Sequence, residues 1–191
     1  MKLYNSLSKQ KEKFTPLSRG KVGIYSCGPT VYDDVQIGNL RSFLMSEVLR
    51  RVLAFNGYAV RHVMNITDIG HLVTDGDEGD DKMTKGLKRE GKEITLENMI
   101  ALAERYTKNF ERDLAKMNML KPHTLPKASH HIQEQIDLLK KLDKKGFLYT
   151  TSDGVYFDTK RDPRYGKLAG VAELLKKNNE SNSRIEENSE K

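Results

Sequence analysis

The stretch from Ile24 to Arg41 constrains the chain more than any other. Ile24-Tyr25-Ser26 closes a short apolar run, Cys27-Gly28-Pro29 turns it, and Gly38-Asn39-Leu40-Arg41 opens a helical pattern. In an open α/β sheet, ligands bind beyond the carboxyl ends of strands, where helix N-termini offer free backbone N–H groups to anions. The single cysteine of the chain, Cys27, sits where the strand stops. A thiol, a turn and an anion-ready helix start therefore fall within one site.

The flanking residues complete a unit. Lys21 to Ser26 reads as a core strand, since Val22, Ile24 and Tyr25 favour extended structure. A helix is predicted from Gly38 to Phe55, with Leu40, Leu44, Val48, Val52 and Phe55 on one apolar stripe. Arg41, Glu47, Arg50 and Arg51 stand off that stripe, and Asn56-Gly57 supplies the stop. Tyr58 to Met64 is a second apolar run, ending in the polar Asn65-Ile66-Thr67-Asp68. Strand, helix and strand at this spacing predict a right-handed parallel βαβ unit whose two strand ends face the same site. Ahead of it, Leu3-Tyr4 and the segment around Pro16 read as edge pairing, because proline does not suit a central strand.

Further along, Asp75-Gly76-Asp77-Glu78-Gly79-Asp80-Asp81 invites a calcium-loop reading. Counted from Asp75, the required glycine and glutamate positions fall on Asp80 and Gly86, so the spacing excludes an EF-hand loop. Ile94 to Met119 predicts a long helix with a core stripe of Met99, Ala103, Tyr106, Phe110, Leu114 and Met117, ended by Lys121-Pro122. Ser129 is placed to cap a second helix, striped by Ile132, Ile136, Leu139 and Leu142 and stopped by Gly146. Phe147-Leu148-Tyr149 and Val155-Tyr156-Phe157 predict a β-hairpin around the turn at Asp153-Gly154. His130 and His131 point apart on a helix, which argues against a shared metal. From Lys176 the chain is mostly Lys, Asn, Glu and Ser, a composition too polar to offset the entropy of ordering.

Composition bounds the setting. Over 191 residues, 37% are hydrophobic and 31% charged, a polar but foldable balance. No apolar run approaches the length of a bilayer span, so no membrane role is expected. One cysteine forms no internal disulfide, and the cytoplasm is the expected compartment. A net charge of +6 permits a polyanionic partner, although 27 acidic residues are interleaved with the basic ones.

Taken together, the motifs resemble a known family. Tyr25-Ser26-Cys27-Gly28-Pro29-Thr30-Val31-Tyr32-Asp33, then Ile37-Gly38-Asn39, then Asn65-Ile66-Thr67-Asp68, closely resemble the N-terminal half of cysteinyl-tRNA synthetases, which are class I aminoacyl-tRNA synthetases. Leu3-Tyr4-Asn5-Ser6-Leu7-Ser8, Val155-Tyr156-Phe157-Asp158 and Tyr165-Gly166-Lys167-Leu168-Ala169-Gly170 extend the match over nearly the whole chain.

The resemblance implies an α/β fold: the first half of a Rossmann-like nucleotide-binding domain over residues 1–93, with an inserted, mainly helical α+β subdomain over 94–175 and a polar tail over 176–191. It implies ATP with Mg2+, cysteine and the tRNA for cysteine as substrates, and a monomer. By the same resemblance Cys27 is a zinc ligand, Gly28 and Thr67 line the cysteine pocket, and Thr30, Gln36, Gly38 and Asn39 face ATP. Gln36 and Asn39 take the catalytic positions. Zinc suits the selection of a thiol substrate, being a borderline-soft ion that binds and deprotonates sulfur. Lys140, Lys141, Lys144 and Lys145 are candidates for tRNA phosphate contacts, or equally a solvated helix face.

Three departures qualify what the resemblance implies. The family's first motif begins with histidine where this chain has Gln36, which donates a hydrogen bond but never carries charge. Lys82-Met83-Thr84-Lys85-Gly86 is similar to the lysine-rich ATP loop of class I synthetases but comes too early, so it reads as the start of a charged helix, Lys82 to Arg89. The remaining zinc ligands, the later ATP loop and the anticodon-binding domain have no counterpart, so a truncated chain, inactive alone, is expected. A cysteine–amino-sugar ligase of the same family and a non-catalytic nucleotide- or tRNA-binding protein are the alternatives.

Overall fold

The computed structural model describes residues 1–69, 82–152 and 154–168. They fall into two compact units: one within Pro16–Val73 and Gly79–Ile132, the other from Met1–Thr15 together with Gln133–Lys191.

The first unit holds β1 (Lys21–Ser26), α1 (Ile37–Phe55) and β2 (Ala59–Met64), with β1 and β2 paired in parallel from Lys21 opposite Ala59 to Ser26 opposite Met64. The βαβ unit expected from the sequence is thus observed. Gly57 takes a φ of +84° at the end of α1, the left-handed conformation that glycine adopts without a Cβ penalty. α2 (Lys82–Arg89) and α3 (Leu96–Lys116) pack on the same unit. Thr95 caps α3, its Oγ1 accepting from the Asn98 amide at 3.2 Å. The helix ends at Lys116, with Met117 as its C-cap and Asn118 beyond it at a φ of +54°, so it stops short of the expected Lys121-Pro122.

Beyond α3 the chain returns in extended form beside β2. Met64 N–H donates to Thr124 at 3.1 Å, Ile66 N–H to Pro126 at 2.8 Å, and Ala128 N–H to Ile66 at 3.0 Å. Residues 123–128 therefore act as a third parallel segment, which Pro122 and Pro126 hide from a strand pattern.

The core joins these elements. Val31, Phe43, Met64, Ile66, Met83, Leu87, Leu102, Phe110 and Leu114 are buried in one cluster, with Phe43 and Phe110 meeting edge to face at 5.3 Å between ring centroids. The α3 stripe behaves as expected at Ala103, Tyr106, Phe110 and Leu114, whereas Met117 is exposed. By packing, α3 shares a core with α1, α2 and β2.

On α1 the expected face is corrected. Of the expected stripe Leu40 packs on the core, but Leu44, Val48, Val52 and Phe55 are exposed, and Phe43, Glu47 and Leu53 are buried instead. The helix carries two apolar faces, and the one bearing Phe43 meets Phe110. Glu47 follows it inward, only 3% exposed, because its Oε1 accepts from Arg51 Nε at 2.7 Å and from the Leu120 amide at 2.9 Å.

The second unit contains two antiparallel hairpins and a helix. β3 (Lys2–Asn5) pairs with β4 (Gln10–Lys13); Leu3 and Tyr4 lie in the expected short strand, but their partner is the basic run and not the segment around Pro16. α4 (Ile132–Lys144) ends near Gly146, at a φ of +72°, and is followed by β5 (Leu148–Thr150) paired with β6 (Val155–Phe157). Phe147 and Phe157 stack at 5.6 Å across this hairpin. Its turn residue Asp153 lies outside the described residues, as do the acidic stretch 75–81 and the tail 176–191. The stripe predicted for α4 is not buried: Ile132, Ile136 and Leu139 are exposed. Ser129 does not cap α4 but donates from its Oγ to Asp68 Oδ2 at 2.5 Å and from its amide to Asp68 Oδ1 at 2.9 Å.

Candidate active site

The carboxyl ends of β1 and β2 are tied together by their own backbones. Val31 N–H donates to Thr67 at 3.1 Å, and Thr67 N–H donates to Pro29 at 3.0 Å, continuing the parallel ladder past the strands. Gly28 N–H donates to Asn65 Oδ1 at 3.0 Å. A Cβ added at Gly28 would lie 1.8 Å from the Asn65 carbonyl oxygen, so only glycine permits this approach. Asn65 turns its other amide atom to Thr67, Nδ2 donating to Oγ1 at 3.2 Å.

Next to this junction lies a cleft of about 400 Å³, lined by Cys27, Gly28, Thr30, Gln36 and Asn39, with Tyr32, Asp33, Asp34, Phe43 and Lys82 completing the wall. Cys27 is exposed at the strand end. Gln36 occupies the N-cap of α1 in extended conformation and makes no capping bond with its side chain. The first turn of α1 itself holds no acidic residue, while Asp33 and Asp34 stand on the wall of the same cleft.

Five of the sequence-predicted positions thus meet on one surface. Gly38 and Thr67 do not line the cleft: Gly38 lies in the first turn of α1 with open space where a Cβ would be, and Thr67 is held in the ladder behind Gly28. Sequence reasoning passed over Asp33, Asp34 and Lys82. The lysine-rich pattern was the signal for Lys82; the residues of that pattern form a packed helix, with Met83, Thr84, Gly86 and Leu87 buried.

The acids on the wall are held by partners from downstream helices. Arg89 Nη1 donates to Asp33 Oδ2 at 2.5 Å, Nη2 to the Tyr32 carbonyl at 3.0 Å, and Asn109 Nδ2 to Asp34 Oδ1 at 2.7 Å. Behind β1, Ser26 Oγ meets His62 Nε2 at 2.8 Å, and His62 is 1% exposed. Burial, reinforced by Arg50 and His123 and opposed by Glu47, pushes the His62 pKa down, so the ring is neutral near pH 7.

A tetrahedral zinc site needs four ligands, or three and an open position. Among the described residues no group of three or more His, Cys, Asp or Glu gathers to hold a metal ion, and Cys27 alone does not fit one. Among the same residues no helix is long and apolar enough to cross a membrane.

A parallel βαβ unit with a cleft at its strand ends is the arrangement in which α/β proteins hold their ligands. The family model for the class I (C) tRNA synthetase catalytic domain matches residues 13–191, and the chain belongs to that family. Among curated relatives, cysteine–tRNA ligase 1 of Burkholderia lata is 53% identical over 167 residues, which are 87% of this chain and 34% of that protein. The cysteine–tRNA ligase of Treponema denticola is 44% identical over 90% of this chain and 34% of its own length. That of Thermus thermophilus is 44% identical over 88% of the chain and 34% of its own length. The chain spans about a third of the length of these relatives.

Proposed function

We propose that this chain forms the part of a cysteine–tRNA ligase in which cysteine meets ATP, within a Rossmann-like nucleotide-binding half domain. The observation that carries the reading is the single cleft shared by Cys27, Gly28, Thr30, Gln36 and Asn39 at the end of β1. In the reaction, a carboxylate oxygen of cysteine bonds to the α-phosphorus of ATP, and the bond to the β-phosphate breaks to release pyrophosphate. The cysteinyl group then passes from AMP to a hydroxyl at the tRNA end. Gln36 and Asn39 donate hydrogen bonds to the phosphate as charge builds on it, and the first turn of α1 adds its amides. Thr30 faces the nucleotide, and Gly38 keeps the helix start bare enough for close approach. Gly28 and Thr67 shape the cysteine pocket.

Cys27 would offer one sulfur ligand to zinc only together with ligands from elsewhere, and no step is assigned to zinc or Mg2+ within these residues. Residues 94–175 face the acceptor end of tRNA in this reading, with lysines such as Lys140 and Lys144 available to phosphates. The names of the relatives favour tRNA over an amino sugar as the acceptor. A monomer in the cytoplasm completes the proposal.

Cysteine-dependent ATP–pyrophosphate exchange, with zinc content measured on the same sample, tests it. The 191-residue chain alone is expected to show no exchange and little tightly held zinc. Stoichiometric zinc together with exchange would overturn that expectation. In a full-length version, Gln36→His restores a chargeable donor and should raise exchange, by up to about a hundredfold for one well-placed donor. An unchanged rate removes Gln36 from the chemistry.

A further inference from the structure

Lys82 begins α2 and reaches the cleft from a helix far along the chain from Cys27 and Gln36. It is half-buried, with its Nζ 5.6 Å from the centroid of the Tyr32 ring. That contact orients the ammonium without neutralising it, because the aromatic face offers a quadrupole and no charge. Of the two carboxylates on the wall, Asp33 is paired with Arg89, and Asp34 accepts from the neutral Asn109 amide and from no cation among the ion pairs of the described residues. Among the described residues lining the cleft, Lys82 is the one cation.

Its placement is rigid. A Cβ at Gly86 would come within 2.9 Å of the Tyr32 carbonyl oxygen and 2.8 Å of Leu102 Cδ2, so α2 packs directly on the backbone of the cleft wall. Arg89, one turn further, donates to the same Tyr32 carbonyl. The lysine therefore projects from a clamped helix, which limits the ordering entropy lost on meeting a ligand.

We propose that Lys82 binds the polyphosphate of a nucleoside triphosphate in this cleft and supplies the positive charge that Gln36 cannot carry. The assignment rests on the cleft being a nucleotide site, as set out above. A polyphosphate is the anion that a lone, partly desolvated ammonium beside a helix start suits, and a lysine serves as a point-charge phosphate binder.

Titration calorimetry on the 191-residue chain, with MgATP and with adenosine, tests the assignment in wild type, Lys82→Met and Lys82→Arg. Removing a charge-assisted contact should weaken MgATP binding about tenfold or more in Lys82→Met. Adenosine affinity should stay unchanged, and Lys82→Arg should retain most of the MgATP affinity. Equal MgATP affinity in wild type and Lys82→Met overturns the assignment. So does a parallel loss for adenosine, which would mark a packing role. Wild type that binds neither compound refutes the nucleotide reading itself, and the assignment with it.

Discussion

Replacing Gly28 with alanine tests how the strand ends are joined. The new Cβ would fall 1.8 Å from the Asn65 carbonyl oxygen, 3.0 Å from its carbonyl carbon and 2.9 Å from Met64 Cγ. Two of those atoms are backbone, so relief requires β1 and β2 to part by more than an ångström where Gly28 N–H now reaches Asn65 Oδ1. Overpacking costs about 1–3 kcal/mol and the strained hydrogen bond about 1 kcal/mol, giving about 2–4 kcal/mol in all. Against a typical stability of about 5–15 kcal/mol, that is a large loss. With a urea dependence of about 2 kcal/mol per molar, the unfolding midpoint followed by circular dichroism should fall by about 1–2 M. Gly23→Ala is the paired control, since that position in β1 has open space around a Cβ and should be neutral or slightly stabilising. A Gly28→Ala midpoint within error of wild type would refute the claim that backbone contact closes this junction.

Other predictions concern the buried polar groups. Glu47→Ala leaves the Leu120 amide without its acceptor and should destabilise by about 2–4 kcal/mol in urea unfolding, with Glu47→Gln less costly; equal stability of all three proteins would contradict the packing described for α1. His62 has its pKa lowered on folding, chiefly by burial, so the unfolded chain binds the extra proton. Its contribution is therefore complete above the unfolded value of about 6.5 and is lost as pH falls below it. Urea unfolding at pH 7.5 and 5.5 should show a smaller pH effect in His62→Gln than in wild type, and an identical effect would count against a neutral buried ring.

Much of the first unit is legible in the sequence because its signals are local. The Val22–Ile24 and Val60–Met64 runs, the Gly57 stop and the α3 stripe each need only short-range periodicity. The burial of α1 needs more. Leu44, Val48 and Val52 make a better stripe on paper than Phe43 and Glu47, and only the position of Phe110 selects the second face. The segment at 123–128 is silent for another reason: Pro122 and Pro126 suppress a strand pattern, although the Pro126 carbonyl still accepts from Ile66 just past β2. In the cleft, Cys27, Gly28, Thr30, Gln36 and Asn39 stand together because one turn carries them. Lys82 arrives by the packing of α2 on Tyr32, a tertiary event that spacing alone does not encode.

The most direct test uses the single cysteine as a reporter. Cys27 is exposed on the cleft wall, so its alkylation by iodoacetamide, followed by intact-protein mass spectrometry, reads occupancy of the cleft. Saturating MgATP should slow the reaction several-fold in wild type, with free cysteine left out because its own thiol consumes iodoacetamide. An alkylation rate unchanged by MgATP would contradict the claim that ATP occupies this cleft.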